Sequence, residues 1–355
     1  MRILFIAGRE ISYPRNDVLI RALGRLGSVD VLGGEGRTSI LLRSLTLAFK
    51  SILSLRSQRY DLVFVGFYGQ LLMLPLSLWC PVPIIFDAFI STYDTLCFDR
   101  KVFSPRSILG RAAYRLDKRA CKSSHQVLLD TRQHTRYFQE VYALPETLFS
   151  VLPVSCNEDL FYPKGDAQIS PNRILFYSTY MPIHGVETIL QAAALLNETE
   201  NLEFRLVGEG MGLKQAQQMA HDLKLKSVQF LPYLPLQALA GEIACAGICL
   251  GGHFGLTDKA DRVVPGKIYQ IMAMAKPMIA GETSANRDLL THGKSALLVP
   301  PGDAASLADA IQRLLKDPTL RGRLSMGARH RFQQVCSEEI VTERLGEILR
   351  EVSGE

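Results

Sequence analysis

Short apolar runs alternate with longer amphipathic segments along this 355-residue chain. Apolar runs bounded by Gly, Pro or Asp are typical of buried parallel strands, and apolar positions spaced three and four apart are typical of helices. The first series predicts strands at 3–7, 28–32, 61–65, 83–87, 126–129 and 149–153, and helices at 15–26, 39–54, 70–78, 105–120 and 132–142. Such alternation predicts a parallel, doubly wound sheet.

A second series follows a Pro-, Asn- and Asp-rich segment at 155–172, which we interpret as a linker. It predicts strands at 173–177, 203–207, 228–231, 247–250, 278–280 and 297–299, and helices at 186–196, 214–223, 236–244, 267–275, 303–315 and 338–352. Ser306 and Asp309 have the spacing of a capping box. Because 355 residues exceed one comfortable core, the sequence predicts two Rossmann-like α/β domains, at 1–164 and 165–337.

Charge is distributed unevenly between the two predicted domains. Residues 1–164 hold 21 basic and 14 acidic side chains, which leaves 19 basic and 21 acidic for the remainder. Within the basic half, 39–54 is strongly apolar, and 100–122 holds eight basic residues among aromatic and apolar ones. We interpret this as a face for an anionic membrane or a phosphorylated lipid acceptor, with an ordinary solvated helix surface as the alternative. No base-stacking or helix-turn-helix pattern indicates nucleic acid.

Compartment and membrane topology also follow from the sequence. The seven cysteines are scattered without a Cys-x-x-Cys pair, which favours a reducing, cytoplasmic environment and no zinc site. The apolar run at 2–8 is too short for a signal peptide and is predicted to be a strand. Residues 62–86 carry no charge until Asp87, but they contain Pro75, Pro81 and Pro83, so two strands and a helix are predicted instead of a membrane span.

The stretch 262–282 carries the clearest functional pattern. Its loop Val264-Pro265-Gly266 precedes a predicted helix with one buried face, and a short apolar strand follows after Pro277. The first backbone N–H groups of this helix, together with Lys267 and Arg262, are suited to an anion beyond the sheet edge.

This stretch resembles the donor-nucleotide site of the family 4 glycosyltransferases with the GT-B fold. The run from Tyr269 to Ile279 falls on the family's pattern, in which a glutamate holds the donor ribose and a second glutamate lies eight residues earlier. Gln270 and Arg262 occupy these two positions. Gln270 can still hydrogen-bond a ribose hydroxyl without charge. The resemblance implies two domains that face a cleft and a last helix, at about 338–355, that returns to the first domain.

The resemblance implies further donor-site residues. The loop 177–185 matches the family's diphosphate loop, and His184 stands in place of the usual lysine. Ser178 and Thr179 are further candidate hydrogen-bond donors to the diphosphate. Fixed donors of this kind stabilise the charge that develops on a leaving diphosphate. The predicted donor-binding residues, besides the candidate catalytic residues His184 and Lys267, are Gly8, Ser178, Thr179, Gly185, Tyr233, Arg262, Gly266 and Gln270.

In the first domain, Gly8 follows the first strand, where its backbone is predicted to approach the diphosphate, with a plain turn as the alternative. Asp87 ends the fourth strand, where the family often has a residue near the transferred sugar. We interpret Asp87 as a catalytic or acceptor-side residue, with a capping aspartate as the alternative.

The implied activity is retaining transfer from a nucleoside-diphosphate sugar to a hydroxyl of a glycan or lipid-linked acceptor at the inner face of a membrane. No metal or cofactor is expected, because neither an Asp-x-Asp nor a His cluster is present. A nucleotide-sugar epimerase on the same fold and a non-catalytic nucleotide-binding scaffold remain alternatives. A Rossmann oxidoreductase is disfavoured because the Gly-x-Gly-x-x-Gly fingerprint is missing.

Overall fold

The computed structural model describes residues 1–34, 39–165 and 167–354. Residue 166, within the predicted linker, lies outside this description. The chain divides into two compact units. Unit 1 comprises Met1–Asn157 and Glu338–Glu355, and unit 2 comprises Glu158–Ser337. The division therefore falls seven residues before the boundary proposed from the sequence.

Unit 1 is an α/β unit built around a parallel sheet. Its described residues form six strands in the order β2-β1-β3-β4-β5-β6. The strands are β1 (Arg2–Ile6), β2 (Ser28–Leu32), β3 (Leu62–Val65), β4 (Ile84–Asp87), β5 (Gln126–Leu129) and β6 (Phe149–Val151). The helices between them are α1 (Pro14–Leu26), α2 (Ile40–Ser57), α3 (Gln70–Trp79), α4 (Thr92–Asp94), α5 (Ile108–Lys122) and α6 (Arg132–Tyr142). A π-helical turn at Thr95–Asp99 and a 3₁₀ turn at Glu146–Leu148 complete the connections.

Unit 2 repeats this architecture. Its described residues form six parallel strands in the order β12-β11-β10-β7-β8-β9. The strands are β7 (Ser170–Tyr177), β8 (Glu203–Val207), β9 (Val228–Leu231), β10 (Ala246–Gly252), β11 (Met278–Gly281) and β12 (Leu297–Val299). The helices are α7 (Val186–Leu195), α8 (Leu213–Asp222), α9 (Leu236–Cys245), α10 (Asp258–Arg262), α11 (Gly266–Ala273), α12 (Ser284–Leu289), α13 (Ala304–Lys316) and α14 (Pro318–Val335).

The last helix, α15 (Glu338–Ser353), belongs to unit 1 and packs against α1. Glu338 accepts hydrogen bonds from Arg21 and Arg25 of α1, at 3.0 and 2.8 Å. Val341 and Leu345 of α15 join the apolar core on this side of the sheet. The helix predicted to return to the first domain therefore does so.

The structure corrects two local predictions and adds one long helix. The N-cap of α13 is Asp303, which accepts from the Ser306 N–H at 2.9 Å, so the capping-box spacing of Ser306 and Asp309 was misleading. The helix α14 was not predicted. The helix after Phe103 begins at Ile108, three residues later than predicted, because Ser107 caps it.

The uncharged stretch 62–86 forms β3, α3 and most of β4, as predicted from its prolines. Across the described ranges, no helix combines the length and apolarity needed to cross a bilayer.

Candidate functional site

The predicted anion-binding stretch lies at the carboxyl edge of the unit 2 sheet. It folds as α10, a loop, α11 and β11. All of α11 from Lys267 to Ala273 is buried, so the prediction of a single buried face was wrong. The helix ends at Ala273 instead of Ala275, where the backbone takes a positive φ of 52°. Arg329 of α14 donates to the Ala273 carbonyl at 2.9 Å, which satisfies the helix end.

Lys267 is the most unusual charged group in unit 2. Its side chain is 8% exposed, and its Nζ lies 4.0 Å from the centre of the Phe176 ring. Among the described residues, Nζ has no hydrogen-bond partner. Burial lowers the pKa of Lys267 from 10.5 to about 7. An anion bound beside Nζ would favour the charged ammonium and reverse this shift.

The loop after β7 lies close to the loop after β10. Gly185 has a φ of 63° and is the N-cap of α7. A Cβ at this position would lie 2.2 Å from the Phe254 carbonyl carbon, so only glycine fits. The Phe254 N–H donates to the His184 carbonyl at 3.4 Å. The start of α7 is therefore fixed against the residues that follow β10.

Two histidines stack in this region. The rings of His184 and His253 lie 5.8 Å apart with an interplanar angle of 12°. His184 Nδ1 accepts from the Met181 N–H at 3.3 Å, so neutral His184 carries its proton on Nε2. Burial, followed by the nearby charge of Lys267, lowers the pKa of both rings well below the usual value. Without a bound anion, His184 is thus neutral, and its Nε2–H is a hydrogen-bond donor.

His253 and Asn286 were not predicted from the sequence. His253 follows the last glycines of β10, and its buried Nδ1 has no hydrogen-bond partner within the described part of the chain. The side-chain amide of Asn286 donates to the carbonyls of Gly252 and Gly281 at 3.0 and 2.9 Å. It therefore ties together the carboxyl ends of β10 and β11. A histidine directly after a Gly-Gly strand end was the signal available in the sequence.

Gln270 has a partner on the neighbouring strand. The Tyr177 hydroxyl donates to Gln270 Oε1 at 2.8 Å, and Gln270 is 7% exposed. Its amide nitrogen makes no hydrogen bond to any described residue, which leaves two N–H groups to donate to a ligand. The predicted contact with a ribose hydroxyl would therefore use the amide nitrogen.

The other predicted residues of unit 2 differ in their exposure and contacts. Ser178 Oγ accepts from the Tyr180 N–H at 3.1 Å, and Thr179 is exposed. Gly266 has open space around its Cα, and Arg262 is half-buried at the end of α10. Tyr233 is 62% exposed and follows β9, the edge strand of the sheet.

In unit 1, the structure gives the two predicted residues structural partners. A Cβ on Gly8 would lie 2.5 Å from the Tyr68 carbonyl carbon, so its glycine is required by packing against that loop. Asp87 is 1% exposed and forms an ion pair with Arg15 at 2.9 Å. Burial raises the pKa of Asp87, and Arg15 opposes the rise. The Asp87 carboxylate is therefore engaged in a buried pair, and its catalytic or acceptor-side role stays a prediction.

A second buried pair in unit 1 also escaped the sequence analysis. Asp130 follows β5, and its Oδ1 lies 2.8 Å from His134 Nδ1 on α6. Both side chains are at most 2% exposed. The carboxyl edge of the unit 1 sheet thus contains two buried carboxylates, each with a partner side chain.

Residues 171–317, which lie within unit 2, match the family model described as glycosyl transferases group 1. Unit 2 carries a group 1 glycosyltransferase domain. This match confirms the family predicted from the motif between residues 262 and 282.

Curated relatives of this glycosyltransferase domain match part of the chain. Lipopolysaccharide core biosynthesis glycosyltransferase LpsD of Rhizobium meliloti is 29% identical over 149 residues, which cover 42% of this chain and 41% of LpsD. Amylovoran biosynthesis glycosyltransferase AmsK of Erwinia amylovora is 24% identical over 190 residues, which cover 53% of this chain and 47% of AmsK. The chain therefore spans less than half the length of these relatives.

Solved structures match both units. Sucrose-phosphate synthase from Thermosynechococcus elongatus has a TM-score of 0.78 at 18% identity, covering 99% of each chain. The glycosyltransferase WaaG has a TM-score of 0.71 at 15% identity, covering 98% of this chain and 99% of WaaG. The Anabaena protein HepE, solved with UDP and glucose, has a TM-score of 0.74 at 17% identity, covering 98% of this chain and 99% of HepE. The predicted GT-B fold is confirmed.

Proposed function

We propose that the protein transfers a sugar from a nucleoside-diphosphate sugar to a hydroxyl of a glycan or lipid-linked acceptor, with retention of anomeric configuration and without a metal or cofactor. The observation that carries this proposal is the buried ammonium of Lys267, which lacks a hydrogen-bond partner among the described residues. A buried cation without a partner is costly, and a bound anion removes that cost.

The diphosphate is assigned to the region around Lys267. The starts of α7 and α11 supply backbone N–H groups there, and His184 supplies Nε2–H. These donors are fixed before the reaction, so they stabilise negative charge as the bond between the sugar C1 and the phosphate oxygen breaks. The Gln270 amide nitrogen, on a side chain whose Oε1 accepts from the Tyr177 hydroxyl, forms the neighbouring contact for the ribose.

Retention fits a site without a strong protein base near the diphosphate. The acceptor oxygen forms its bond to C1 on the face from which the diphosphate departs, and the acceptor proton passes to a phosphate oxygen. The pKa values of His184 and Lys267 are lowered in the absence of an anion. A diphosphate bound beside Nζ raises the pKa of Lys267 again, so Lys267 holds the diphosphate as an ammonium instead of removing the acceptor proton.

The comparisons support the substrate classes. HepE was solved with UDP and glucose, and WaaG is described as acting in lipopolysaccharide biosynthesis. LpsD is named for lipopolysaccharide core synthesis. By extension, we assign this protein a nucleotide-sugar donor and a glycan acceptor, and a location at the cytoplasmic face of a membrane.

The test is a panel of UDP-, GDP-, ADP-, TDP- and CMP-sugars, assayed by thermal stabilisation of wild type, Lys267→Met and the exposed control Lys226→Met. We expect one base to raise the midpoint in wild type and in the control, and to have little effect in Lys267→Met. Loss of stabilisation in both variants, or in neither, would contradict the assignment of Lys267.

Turnover is tested with the donor so identified. Retention predicts that the anomeric configuration of the product matches that of the donor by NMR. Activity is expected to be unchanged by EDTA. Nucleotide binding without transfer to any glycan acceptor would instead favour the scaffold alternative.

A further inference from the structure

The outer face of α2 is apolar where a surface helix is ordinarily polar. One side of α2 packs into the unit 1 core through Leu47 and Ala48. Helices that are apolar on all sides are normally buried on all sides. The opposite side of α2 instead exposes Leu41 (61%), Leu42 (59%), Leu45 (62%), Phe49 (64%) and Leu53 (50%).

This apolar surface continues over neighbouring helices of the same layer. The helix α3 packs against α2, and α5 packs against α3. All three contribute to the core on one side of the unit 1 sheet. The additional exposed apolar residues, which we include with those of α2 in the α2–α5 face, are Leu78 (70%), Trp79 (64%), Phe98 (46%), Val102 (55%), Ile108 (78%) and Leu109 (54%).

Basic side chains accompany the α2–α5 face. Residues 39–60 and 100–116 contain no Asp or Glu. Exposed basic residues in these segments include Lys50, Arg100, Lys101, Arg106 and Arg111. Both segments are therefore apolar and positively charged without interspersed acids, and Asp99 lies just before the second one.

We propose that the α2–α5 face docks on an anionic lipid bilayer. Its Leu, Phe and Trp side chains enter the boundary between headgroups and acyl chains, and its Lys and Arg side chains contact lipid phosphates. The inference deepens the proposed function, because a lipid-linked acceptor would be met at such a surface. Its test requires neither donor nor acceptor.

Charge argues for a bilayer over a second copy of the chain. A two-fold dimer through this face would place the basic segment of one copy near the equivalent surface of the other. The like charges of the two basic segments oppose association at such an interface. An anionic bilayer complements both the apolar and the basic character of the face.

The test is vesicle co-sedimentation of the full chain at about 0.1 M salt, where charge screening is moderate. Vesicles of phosphatidylcholine alone are compared with vesicles containing about 30% phosphatidylglycerol, which supplies the anionic surface. The variants are Leu45→Ser/Phe49→Ser and Arg100→Ser/Lys101→Ser. Their matched control is Leu195→Ser/Met326→Ser, which alters two exposed apolar residues of unit 2.

Wild type and the control are expected to bind the anionic vesicles and to bind neutral vesicles at least tenfold more weakly. Each α2–α5 variant should lower the partition coefficient on anionic vesicles by about tenfold or more. The effect of the Arg100/Lys101 variant should shrink at about 0.5 M salt. Melting temperatures and nucleotide-sugar binding should match wild type, which separates this proposal from the donor-site assignment.

The proposal is overturned if wild type does not bind anionic vesicles, or if the unit 2 control loses as much binding as Leu45→Ser/Phe49→Ser. Sedimentation without vesicles gives a further outcome. If wild type is a dimer that Leu45→Ser/Phe49→Ser dissociates, while no variant changes vesicle binding, the face is a contact between copies instead.

Discussion

Both units have buried charged side chains at the carboxyl edges of similar parallel sheets, but within the described ranges only the charge in unit 1 is paired. In unit 1, Asp87 is paired with Arg15, which also donates to the carbonyls of Leu152 and Pro153 at 3.0 and 2.8 Å. In unit 2, Lys267 is buried without a hydrogen-bond partner among the described residues. The partner of the Asp87 charge comes from the folded chain itself, so no ligand is needed to neutralise it. The charge of Lys267 has no such partner in the described part of the chain, so our proposal gives the first edge a structural role and the second a role in donor binding.

The largest expected effect comes from breaking the pair of unit 1. Arg15→Met leaves Asp87 buried without its cation and should lower the free energy of unfolding by about 3–5 kcal/mol. Arg15→Met/Asp87→Leu should recover more than half of that loss. Urea denaturation measures both. A loss below about 1 kcal/mol in the single variant would show that the pair is not what holds this edge together.

Removing the charge of Lys267 in unit 2 should have the opposite effect on stability. Lys267→Met keeps most of the side-chain volume and removes a buried ammonium, so the unliganded protein should be at least as stable as wild type. The same variant should bind the nucleotide at least tenfold more weakly, as expected when a charged hydrogen-bond donor is lost. Calorimetry and thermal melting provide the two readouts. A destabilised Lys267→Met variant that binds the nucleotide normally would show that Lys267 has a structural role instead of a binding role.

The pH dependence sharpens this prediction. The pKa of Lys267 is about 7 in the folded protein, against an ordinary value of 10.5. Between these values the unfolded state binds more protons, so this group makes wild type more stable as pH rises. The free energy of unfolding of Lys267→Met should exceed that of wild type most below pH 7. Above pH 7 this difference should shrink by at most about 1.4 kcal/mol per pH unit. Urea denaturation of both proteins from pH 6 to 9.5 tests the trend, and a pH-independent difference would refute it.

The smallest expected effects concern Gln270. Gln270→Ala removes the amide assigned to the ribose and should weaken nucleotide binding about fivefold. Tyr177→Phe removes the hydroxyl that donates to Gln270 but keeps the amide, so binding should stay within about twofold. Both dissociation constants are measured by calorimetry. Equal losses in the two variants would indicate that Gln270 acts only through Tyr177.

The sequence predicted the parallel sheets because each strand is a short apolar run with a helix behind it. It did not predict α14, whose exposed basic positions obscure the apolar face carried by Leu320, Leu324 and Ala328. Asp317-Pro318, with the Asp side chain accepting from the Leu320 N–H, was the available start signal.

The position of a candidate residue was predictable where a motif placed it at a helix start, as for Lys267, and much less where tertiary partners decide its surroundings. Arg15 lies 72 residues before Asp87, and no local spacing indicates that the two side chains meet. The stacking of His184 on His253 likewise depends on two loops from different strands. The pairing of Asp87 with Arg15 and the position of His253 were therefore not predicted.

Proton uptake on nucleotide binding tests most directly whether an anion binds beside the Nζ of Lys267. Calorimetry of nucleoside diphosphate binding at about pH 8, in buffers of different ionisation enthalpy, gives the number of protons taken up. The account predicts that uptake approaches one proton in wild type, since the anion restores the ammonium, and is lost in Lys267→Met. No uptake in wild type, or equal uptake in Lys267→Met, would contradict it.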